Sequence, residues 1–198
     1  LGLVHPKRIK RNSDAQVGDR LILGKPLGVG VMSAALKKEK LSAEAYAQMI
    51  AYTTKLNTPG PDLAALDGVH ALTDVTGFGL AGHALEIAKG AKARVAIDWS
   101  RVPLIANVRA LAQQGFITGA SGRNWDGYAG DVALPAAFAK EDQALLTDPQ
   151  TSGGLLVSCD AASVGAVMEV FRRHGFDAVA EVGEIVAHDG NGARLVVR

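Results

Sequence analysis

The 198-residue chain has the length of one compact domain or of two small ones, and its 48% hydrophobic content is enough for a sizeable core. Its formal net charge of +1 provides no basic footprint for nucleic acid, and no apolar run approaches the ~18 residues of a membrane span. The single cysteine, Cys159, excludes an internal disulfide framework and suits a reducing compartment. We therefore expect a globular protein with no nucleic-acid or membrane partner.

Residues 1–19 are polar and rich in turn-forming residues, so we expect a connector there and a folded domain over residues 20–198. An apolar run at Arg20–Leu23 predicts the first strand, and a helix that runs to about Lys38 should follow it. A second helix should open at Ser42. Apolar residues at helical spacing predict its buried face, made of Tyr46, Met49, Ile50, Thr53 and Leu56.

The rest of the chain alternates helical and strand patterns, which predicts an α+β or α/β sandwich with helices packed on a mixed sheet. Residues 117–134 are rich in Gly, Ser, Asn and Asp and should form a long functional or mobile loop. Asp189–Gly192 is a hairpin signal, so a strand over Ala178–Ala187 should pair with a return strand at Arg194–Arg198. The remaining predicted elements are helices over 62–66, 104–114, 136–146 and from about Val164 to Gly175, and strands over 94–98 and 155–158.

The stretch from Val69 to His83 carries the strongest local signal. A short apolar strand ends on Asp74, and a glycine-rich turn leads into a helix that runs to Gly90. Ligands of α/β proteins gather at such strand ends. Chemistry alone leaves two roles open for the Asp74 carboxylate. It could cap the following helix, or it could bind Mg²⁺, which proteins hold with one or two carboxylates plus substrate phosphates.

Three glycines, Gly77, Gly79 and Gly82, occupy the first turns of this helix. Each glycine costs ~1 kcal/mol relative to Ala in a helix interior, so three of them in the first turns of one helix need a structural or functional explanation. The glycines would allow either tight packing of the helix on a sheet or the close approach of a ligand or a neighbouring domain. The residues themselves do not decide between these two.

Four other features could carry chemistry. The turn Gly24–Gly30 could hold phosphate through free N–H groups, with Lys25 reaching it, but it lacks the ending of a P-loop and an ordinary strand-to-helix turn is favoured. The segment Asp148–Gly154 could cradle an anion or form a helix-to-strand turn. The pair Arg123–Asn124 could clamp a phosphate or another domain, although a surface arginine is the simpler interpretation. Cys159 lies in an apolar strand and is interpreted as an inert core residue.

Three segments, in order along the chain, together resemble the signatures of selenophosphate synthetase (selenide, water dikinase). Leu72–His83 reads LTDVTGFGLAGH, and Asp148–Leu156 reads DPQTSGGLL. The opening segment His5–Asp19, followed by Lys25–Gly28, is similar to the interdomain segment of that family. Arg123–Asn124 also sits where the family has a similar pair. The resemblance covers essentially the whole chain.

The resemblance implies a C-terminal domain of the aminoimidazole ribonucleotide synthetase superfamily, an α+β sandwich that belongs to a two-domain, homodimeric, cytoplasmic enzyme. That family uses ATP and Mg²⁺ to convert selenide into selenophosphate, releasing AMP and phosphate, and supplies selenium for selenocysteine and selenium-modified tRNA. Asp74 matches the family's one C-terminal magnesium-ligand position. Gly77 and Gly79 would then allow nucleotide phosphates or the N-terminal domain to approach.

The sequence departs from the full family pattern because the Gly-rich N-terminal domain is absent from it. In the family that domain carries the catalytic Cys or selenocysteine, its partner Lys and most ATP contacts. Cys159 does not occupy the nucleophile's place, so we expect no catalytic residue here and no ATP turnover by this domain alone. Two alternatives stay open: a C-terminal domain of another superfamily enzyme, such as aminoimidazole ribonucleotide synthetase or thiamine-monophosphate kinase, and a non-catalytic interaction module of the same fold.

Overall fold

The computed structural model describes residues 4–6 and 8–198, so residues 1–3 and Lys7 of the predicted connector lie outside the described residues. Within the described part, a seven-stranded mixed sheet carries apolar clusters and helices on both faces, which confirms the predicted fold class. The strands are β1 (Arg20–Leu23), β2 (Val69–Asp74), β3 (Arg94–Ile97), β4 (Val132–Ala133), β5 (Leu155–Cys159), β6 (Ala180–Val186) and β7 (Leu195–Val197). The α-helices are α1 (Val29–Lys37), α2 (Ala43–Thr54), α3 (Gly60–Ala64), α4 (Gly79–Gly90), α5 (Val108–Gln113), α6 (Gly119–Tyr128), α7 (Lys140–Leu146) and α8 (Val164–Arg173).

The sheet has the strand order β2-β5-β1-β6-β3-β7-β4, which places β2 at one edge. Alternation along β1 separates the two apolar clusters, because Leu21 and Leu23 join the larger cluster with α4 while Ile22 joins the smaller one with α8. Helix α4 is buried on almost every side, and both clusters together hold the sheet between helical layers. No helix in the described part of the chain is long and apolar enough to cross a membrane.

The predicted hairpin between the last two strands is wrong. Strand β7 pairs in parallel with β3 and β4, while β6 pairs antiparallel with β1 and β3, so β3 lies between them. A turn does form at Asp189, whose carboxylate accepts a hydrogen bond from the N–H of Asn191. The Arg94 guanidinium at the start of β3 donates to the carbonyl oxygens of Asn191 and Ala193, each at 2.9 Å, and so ties the segment before β7 to β3.

The predicted buried face of α2 is also wrong, because only Met49 is buried in that helix. Tyr46 and Ile50 are exposed, and Leu56 lies beyond the helix end with 74% of its surface exposed. Helix α2 packs chiefly on α1 at the margin of the domain, which leaves most of its surface open to solvent. The helical spacing therefore predicted the helix correctly but did not predict which of its residues are buried.

The predicted loop over residues 117–134 contains helix α6, a 3-10 helix at Ala129–Asp131 and strand β4. The helix begins at a side-chain cap, since the Thr118 hydroxyl oxygen accepts from the N–H of Ser121 at 3.1 Å. Its inward-facing side chains are polar and form hydrogen bonds, as described below. The apolar periodicity that normally reveals a helix is therefore missing.

Part of the predicted connector packs on the domain. A 3-10 helix at Asn12–Asp14 contacts α4 and β2. Asp19 is only 2% exposed, and its carboxylate accepts hydrogen bonds from the hydroxyl of Ser158 at 2.6 Å and from the N–H of Gln16 at 2.9 Å. The same carboxylate lies 2.8 Å from Nδ1 of His70 in β2. This buried network joins the segment before β1 to two strands of the sheet.

Candidate functional site

Strand β2 runs along the edge of the sheet and delivers Asp74 to its end. We call Asp74–Phe78 the first loop; it connects β2 to α4. The Asp74 side chain is exposed and has no hydrogen-bond or ion-pair partner among residues 4–6 and 8–198. Four residues separate the strand end from the start of helix α4, which has Phe78 at its N-cap position and no side-chain cap. The alternative in which Asp74 caps this helix is therefore wrong.

Helix α6 holds the outer part of the first loop. The Asn124 side-chain amide donates to the carbonyl oxygen of Gly77 at 2.8 Å. One turn further along, the Tyr128 hydroxyl donates to the carbonyl oxygen of Phe78, also at 2.8 Å. Both acceptors are main-chain atoms, so α6 controls the course of the backbone in this loop.

The second loop, which we define as Asp148–Gly154, supports the first loop from within the domain. The N–H of Gln150 donates to the carbonyl oxygen of Thr76 at 3.0 Å, and the N–H of Val75 donates to that of Gly154 at 2.9 Å. A Cβ on Gly153 would overlap the carbonyl oxygen of Val75, which explains the glycine at that position. The two signature segments are thus one packed unit.

With its carbonyl groups turned into the protein, the first loop leaves donors unpaired. The main-chain N–H groups of Thr76, Gly77 and Phe78 have no acceptor in the part of the chain that the structure describes. They lie at the start of α4, where the helix dipole favours negative charge. The exposed carboxylate of Asp74 and these donors are therefore adjacent in the chain, a combination suited to a cation and the anionic group that it neutralises.

The glycines of this region serve different purposes. Gly77 is exposed, and a Cβ there would meet nothing within 4 Å. Gly79 is buried at φ +68°, and its Cβ would lie 2.6 Å from the carbonyl carbon of Thr147. A Cβ on Gly82 would overlap that of Phe78. Packing inside the domain therefore accounts for Gly79 and Gly82, whereas Gly77 alone faces open space among these three.

His83 has a role that the sequence interpretation missed. Its ring is buried, with Nδ1 at 3.1 Å from the carboxylate of Glu86 and Nε2 at 3.2 Å from the hydroxyl of Thr76. In the neutral ring, Nδ1–H donates to the Glu86 carboxylate and Nε2 accepts from the Thr76 hydroxyl, so His83 orients that side chain. The i, i+3 spacing of His83 and Glu86 was a usable signal, but the partner Thr76 becomes close only after the loop turns into the helix.

Asp148 and Gln150 cap helix α1 instead of binding an external anion. One Asp148 carboxylate oxygen accepts from the N–H groups of Gly30 and Val31 at 2.9 and 3.2 Å. The Gln150 side-chain oxygen accepts hydrogen bonds from the N–H groups of Gly28 and Val29 at 3.1 and 3.3 Å. These four donors are therefore satisfied within the protein. The structure supports the helix-to-strand turn, and an anion cradle at Gly28–Val31 is excluded.

Lys25 is likewise committed to the protein. Its ammonium group donates to the carbonyl oxygens of Tyr52, Lys55 and Ser152 at 3.3, 2.6 and 2.6 Å, and so caps the end of α2 and fixes the second loop. Burial, reinforced by the nearby charge of Lys55, lowers the pKa of Lys25 to about 8. The alternative in which Lys25 reaches a phosphate is therefore wrong. Arg123 is exposed, as the simpler interpretation had it.

Residues 16–196 match the family described as AIR synthase related protein, C-terminal domain. The chain belongs to this family. It is 56% identical over 190 residues to the selenide, water dikinase of Paraburkholderia xenovorans (strain LB400), covering 96% of this chain and 54% of that protein. It is 60% identical over 186 residues to the selenide, water dikinase of Burkholderia pseudomallei (strain K96243), covering 94% of this chain and 52% of that protein. The chain thus spans about half the length of the curated relatives it matches, and their names confirm the resemblance inferred from the signatures.

Solved structures agree on the fold of this family domain. The hydrogenase maturation protein HypE in complex with ATP has a TM-score of 0.69 at 18% identity, covering 98% of this chain and 51% of that one. The thiamine-monophosphate kinase from Stenotrophomonas maltophilia K279a has a TM-score of 0.64 at 18% identity, covering 97% of this chain and 54% of that one. At such identities the likeness shows a shared fold alone, which matches the superfamily architecture expected from the sequence.

Neither a metal cluster nor a reactive thiol is present in the described part of this family domain. No group of three or more His, Cys, Asp or Glu side chains is arranged there to hold a metal ion. The Cys159 thiol is buried, and burial raises its pKa to about 12, as expected for an inert core residue. Asp74 therefore offers one carboxylate. This fits Mg²⁺, which takes one or two protein carboxylates and fills its octahedron with water and phosphate oxygens.

Proposed function

We propose that this chain is the C-terminal domain of a selenophosphate synthetase, an ATP- and Mg²⁺-dependent enzyme that makes selenophosphate from selenide and releases AMP and phosphate. The support is the high identity to proteins named selenide, water dikinase over nearly the whole chain. The same proposal includes a homodimeric, cytoplasmic enzyme whose N-terminal domain supplies the catalytic nucleophile and most ATP contacts. Its product would serve selenocysteine and selenium-modified tRNA.

Within that enzyme, we assign Asp74 as the residue of this domain that would hold a magnesium ion, and the ion would supply positive charge to neutralise the nucleotide phosphates. One observation carries this assignment: an exposed carboxylate without an internal partner stands beside three unpaired N–H groups on a loop that the protein holds firmly. Gly77 belongs to this surface because a ligand could approach its backbone closely. The assignment of Gly79 rests only on its N-terminal place in α4, since its own neighbour is Thr147.

The chemistry of the site follows from charge. Mg²⁺ neutralises polyphosphate charge when it is bound, and Asp74 would anchor it to this domain. The N–H groups of Thr76, Gly77 and Phe78 would donate to phosphate oxygens without any change in the loop, because the loop carbonyls are already held. The domain would therefore bind and orient the phosphates, and we expect no selenide-dependent AMP formation by this domain alone. Clear AMP formation by the purified chain would contradict that expectation.

The metal assignment is tested on the purified chain with Mn²⁺ as a paramagnetic substitute for Mg²⁺. In ¹⁵N-resolved NMR spectra, Mn²⁺ with inorganic tripolyphosphate should broaden the amide signals of residues 74–78 first. Asp74→Asn should abolish this broadening and leave the melting temperature unchanged, because the native carboxylate has no partner to lose.

Asp67→Asn is the matched control. It removes the same charge from an exposed aspartate just before the other end of β2 and should leave the broadening intact. Equal broadening in the wild type and in Asp74→Asn would refute the metal assignment. An unfolded Asp74→Asn chain would show that the carboxylate has a structural role.

A further inference from the structure

Helix α6 presents a polar face to the interior of the domain. Ser121, Asn124 and Tyr128 are spaced at i, i+3 and i+7, so they lie on one side of the helix. The Ser121 hydroxyl lies 2.7 Å from that of Thr147 and donates to the carbonyl oxygen of Ala144 at 3.1 Å, which fixes the start of α6 to α7. The side chains of Asn124 and Tyr128 reach the first loop.

Asn124 joins the first loop to the residue that precedes the second loop. Its amide nitrogen donates to the carbonyl oxygen of Gly77 in the first loop at 2.8 Å and to that of Thr147 at 3.1 Å. Thr147 directly precedes Asp148, the first residue of the second loop. Both amide protons are therefore used, and no other described side chain bonds to both of these carbonyl groups.

The bond to Gly77 determines the direction of a donor that faces the proposed phosphates. A trans peptide unit is rigid and planar, and its C=O and N–H point in opposite directions. When Asn124 holds the Gly77 carbonyl toward the protein, the N–H of Phe78 in the same peptide must point away. Tyr128 adds a second restraint by binding the Phe78 carbonyl, and burial raises the pKa of the Tyr128 hydroxyl, which therefore remains a donor.

This restraint is needed because the loop is weak at Gly77. The residue is exposed and has no side chain to pack, so its peptide could rotate at little steric cost without an external bond. The inner peptides of the loop do not share this weakness, since the N–H groups of Val75 and Gly79 and the carbonyl of Thr76 are all paired.

We propose that Asn124 is a positioning residue of the phosphate site: it holds the Gly77–Phe78 peptide so that the N–H of Phe78 faces the ligand, and Tyr128 assists it. This inference rests on the proposed function of the first loop. Asn124 does not touch the ligand, and its effect passes through the backbone of the loop. The side chain that the sequence offered as a phosphate clamp thus acts on the loop instead.

The test uses the purified chain with three variants. Asn124→Ala removes both amide bonds, and Tyr128→Phe removes only the hydroxyl bond to Phe78. Ser121→Ala is the matched control, because it weakens the same helix at a bond that reaches α7 and not the first loop. The first readout is the ¹⁵N order parameter of Gly77 and Phe78 without ligand. The second is the apparent dissociation constant of Mn²⁺ with inorganic tripolyphosphate.

In Asn124→Ala we expect the order parameters of Gly77 and Phe78 to fall from about 0.85 to below about 0.6. The dissociation constant should rise about fivefold, which corresponds to about 1 kcal/mol, the net worth of one hydrogen bond. Tyr128→Phe should change both readouts in the same direction by a smaller amount. Ser121→Ala should lower the melting temperature and leave both readouts unchanged.

Each other outcome has a defined meaning. Unchanged order parameters in Asn124→Ala, or an unchanged dissociation constant despite a mobile loop, would overturn the positioning role. A wild-type chain that does not bind the probe would instead overturn the proposed function, while the order parameters still decide whether Asn124 holds the loop. If Asn124→Ala does not fold, the same two readouts on Tyr128→Phe decide, because that variant removes only one oxygen atom.

Discussion

The buried carboxyl of Asp148 should make the stability of the domain fall as pH rises from 3.8 to about 7. Its side chain is fully buried, one oxygen accepts three hydrogen bonds, and the other oxygen has no partner in the described part of the chain. Burial raises the pKa of Asp148 from 3.8 to about 7, and the hydrogen bonds only partly oppose it. The folded state therefore keeps a proton that the unfolded state has already lost.

The sign and the size of this change in the free energy of unfolding follow from proton linkage. Between the unfolded pKa and the folded pKa, the native state binds more protons, so the free energy of unfolding decreases with pH. The contribution of Asp148 is complete below pH 3.8 and is lost as pH rises to about 7. Between pH 5 and pH 8 this group alone should remove about 3 kcal/mol, at about 1.4 kcal/mol per pH unit over the two units below the folded pKa.

Asp148→Asn provides the assay. The amide oxygen can keep the bonds to Gly30 and Val31, and the amide nitrogen takes the place of the unpartnered oxygen, near the carbonyl oxygen of Pro149. Urea denaturation should be carried out at pH 5 and at pH 8. The free energy of unfolding of the variant, relative to that of the wild type, should be about 3 kcal/mol higher at pH 8 than at pH 5. Asp126→Asn, an exposed control, should follow the wild type. Parallel pH profiles for the wild type and Asp148→Asn would refute a proton on the buried carboxyl.

Two further predictions concern packing. Gly153→Ala should destabilise the domain by about 1–3 kcal/mol, because its Cβ would overlap the carbonyl oxygen of Val75, whereas Gly77→Ala should stay within about 0.5 kcal/mol of the wild type. Urea denaturation of both variants measures this contrast, and equal stabilities would contradict the packed arrangement of the two loops. Cys159 should react with a thiol reagent only at the rate of unfolding, since the thiol is buried and its pKa is raised to about 12. Rapid labelling of the folded chain would show that β5 opens locally.

Local patterns in the sequence were sufficient for elements whose burial is apolar and whose ends carry ordinary stop signals. Strand β1 has the predicted bounds, and the buried strand β5 extends only one residue further, because continuous or alternating apolar residues specify a position inside a sheet. The spacing in α8 predicts an apolar face of Val164, Val167, Met168 and Phe171. Val167 and Phe171 are buried, whereas Val164 and Met168 are only partly buried. The signature segments identified the family because motif residues and their order along the chain can be read without knowledge of the fold.

Tertiary structure decided the features in which distant polar groups replace apolar contacts. The inward face of α6 is made of hydrogen-bonding side chains, so its sequence resembles a loop. The partner of β7 is the earlier strand β3, and Arg94 at the start of β3 holds the returning chain by donating to the carbonyl oxygens of Asn191 and Ala193. The sequence allowed ligand-binding roles for Asp148 and Lys25, but each side chain forms hydrogen bonds with main-chain groups more than 20 residues away.

The first loop shows the division most clearly. By itself, the sequence determined a strand that ends on Asp74, a glycine turn and a helix, since these depend on neighbours along the chain. Only the folded structure decided that the carbonyl groups of the loop are held by Asn124, Tyr128 and Gln150, leaving the carboxylate and the N–H groups unpaired. Hydrogen bonds between segments 47 or more residues apart carry no local pattern, and they arise only when packing brings their donors and acceptors together.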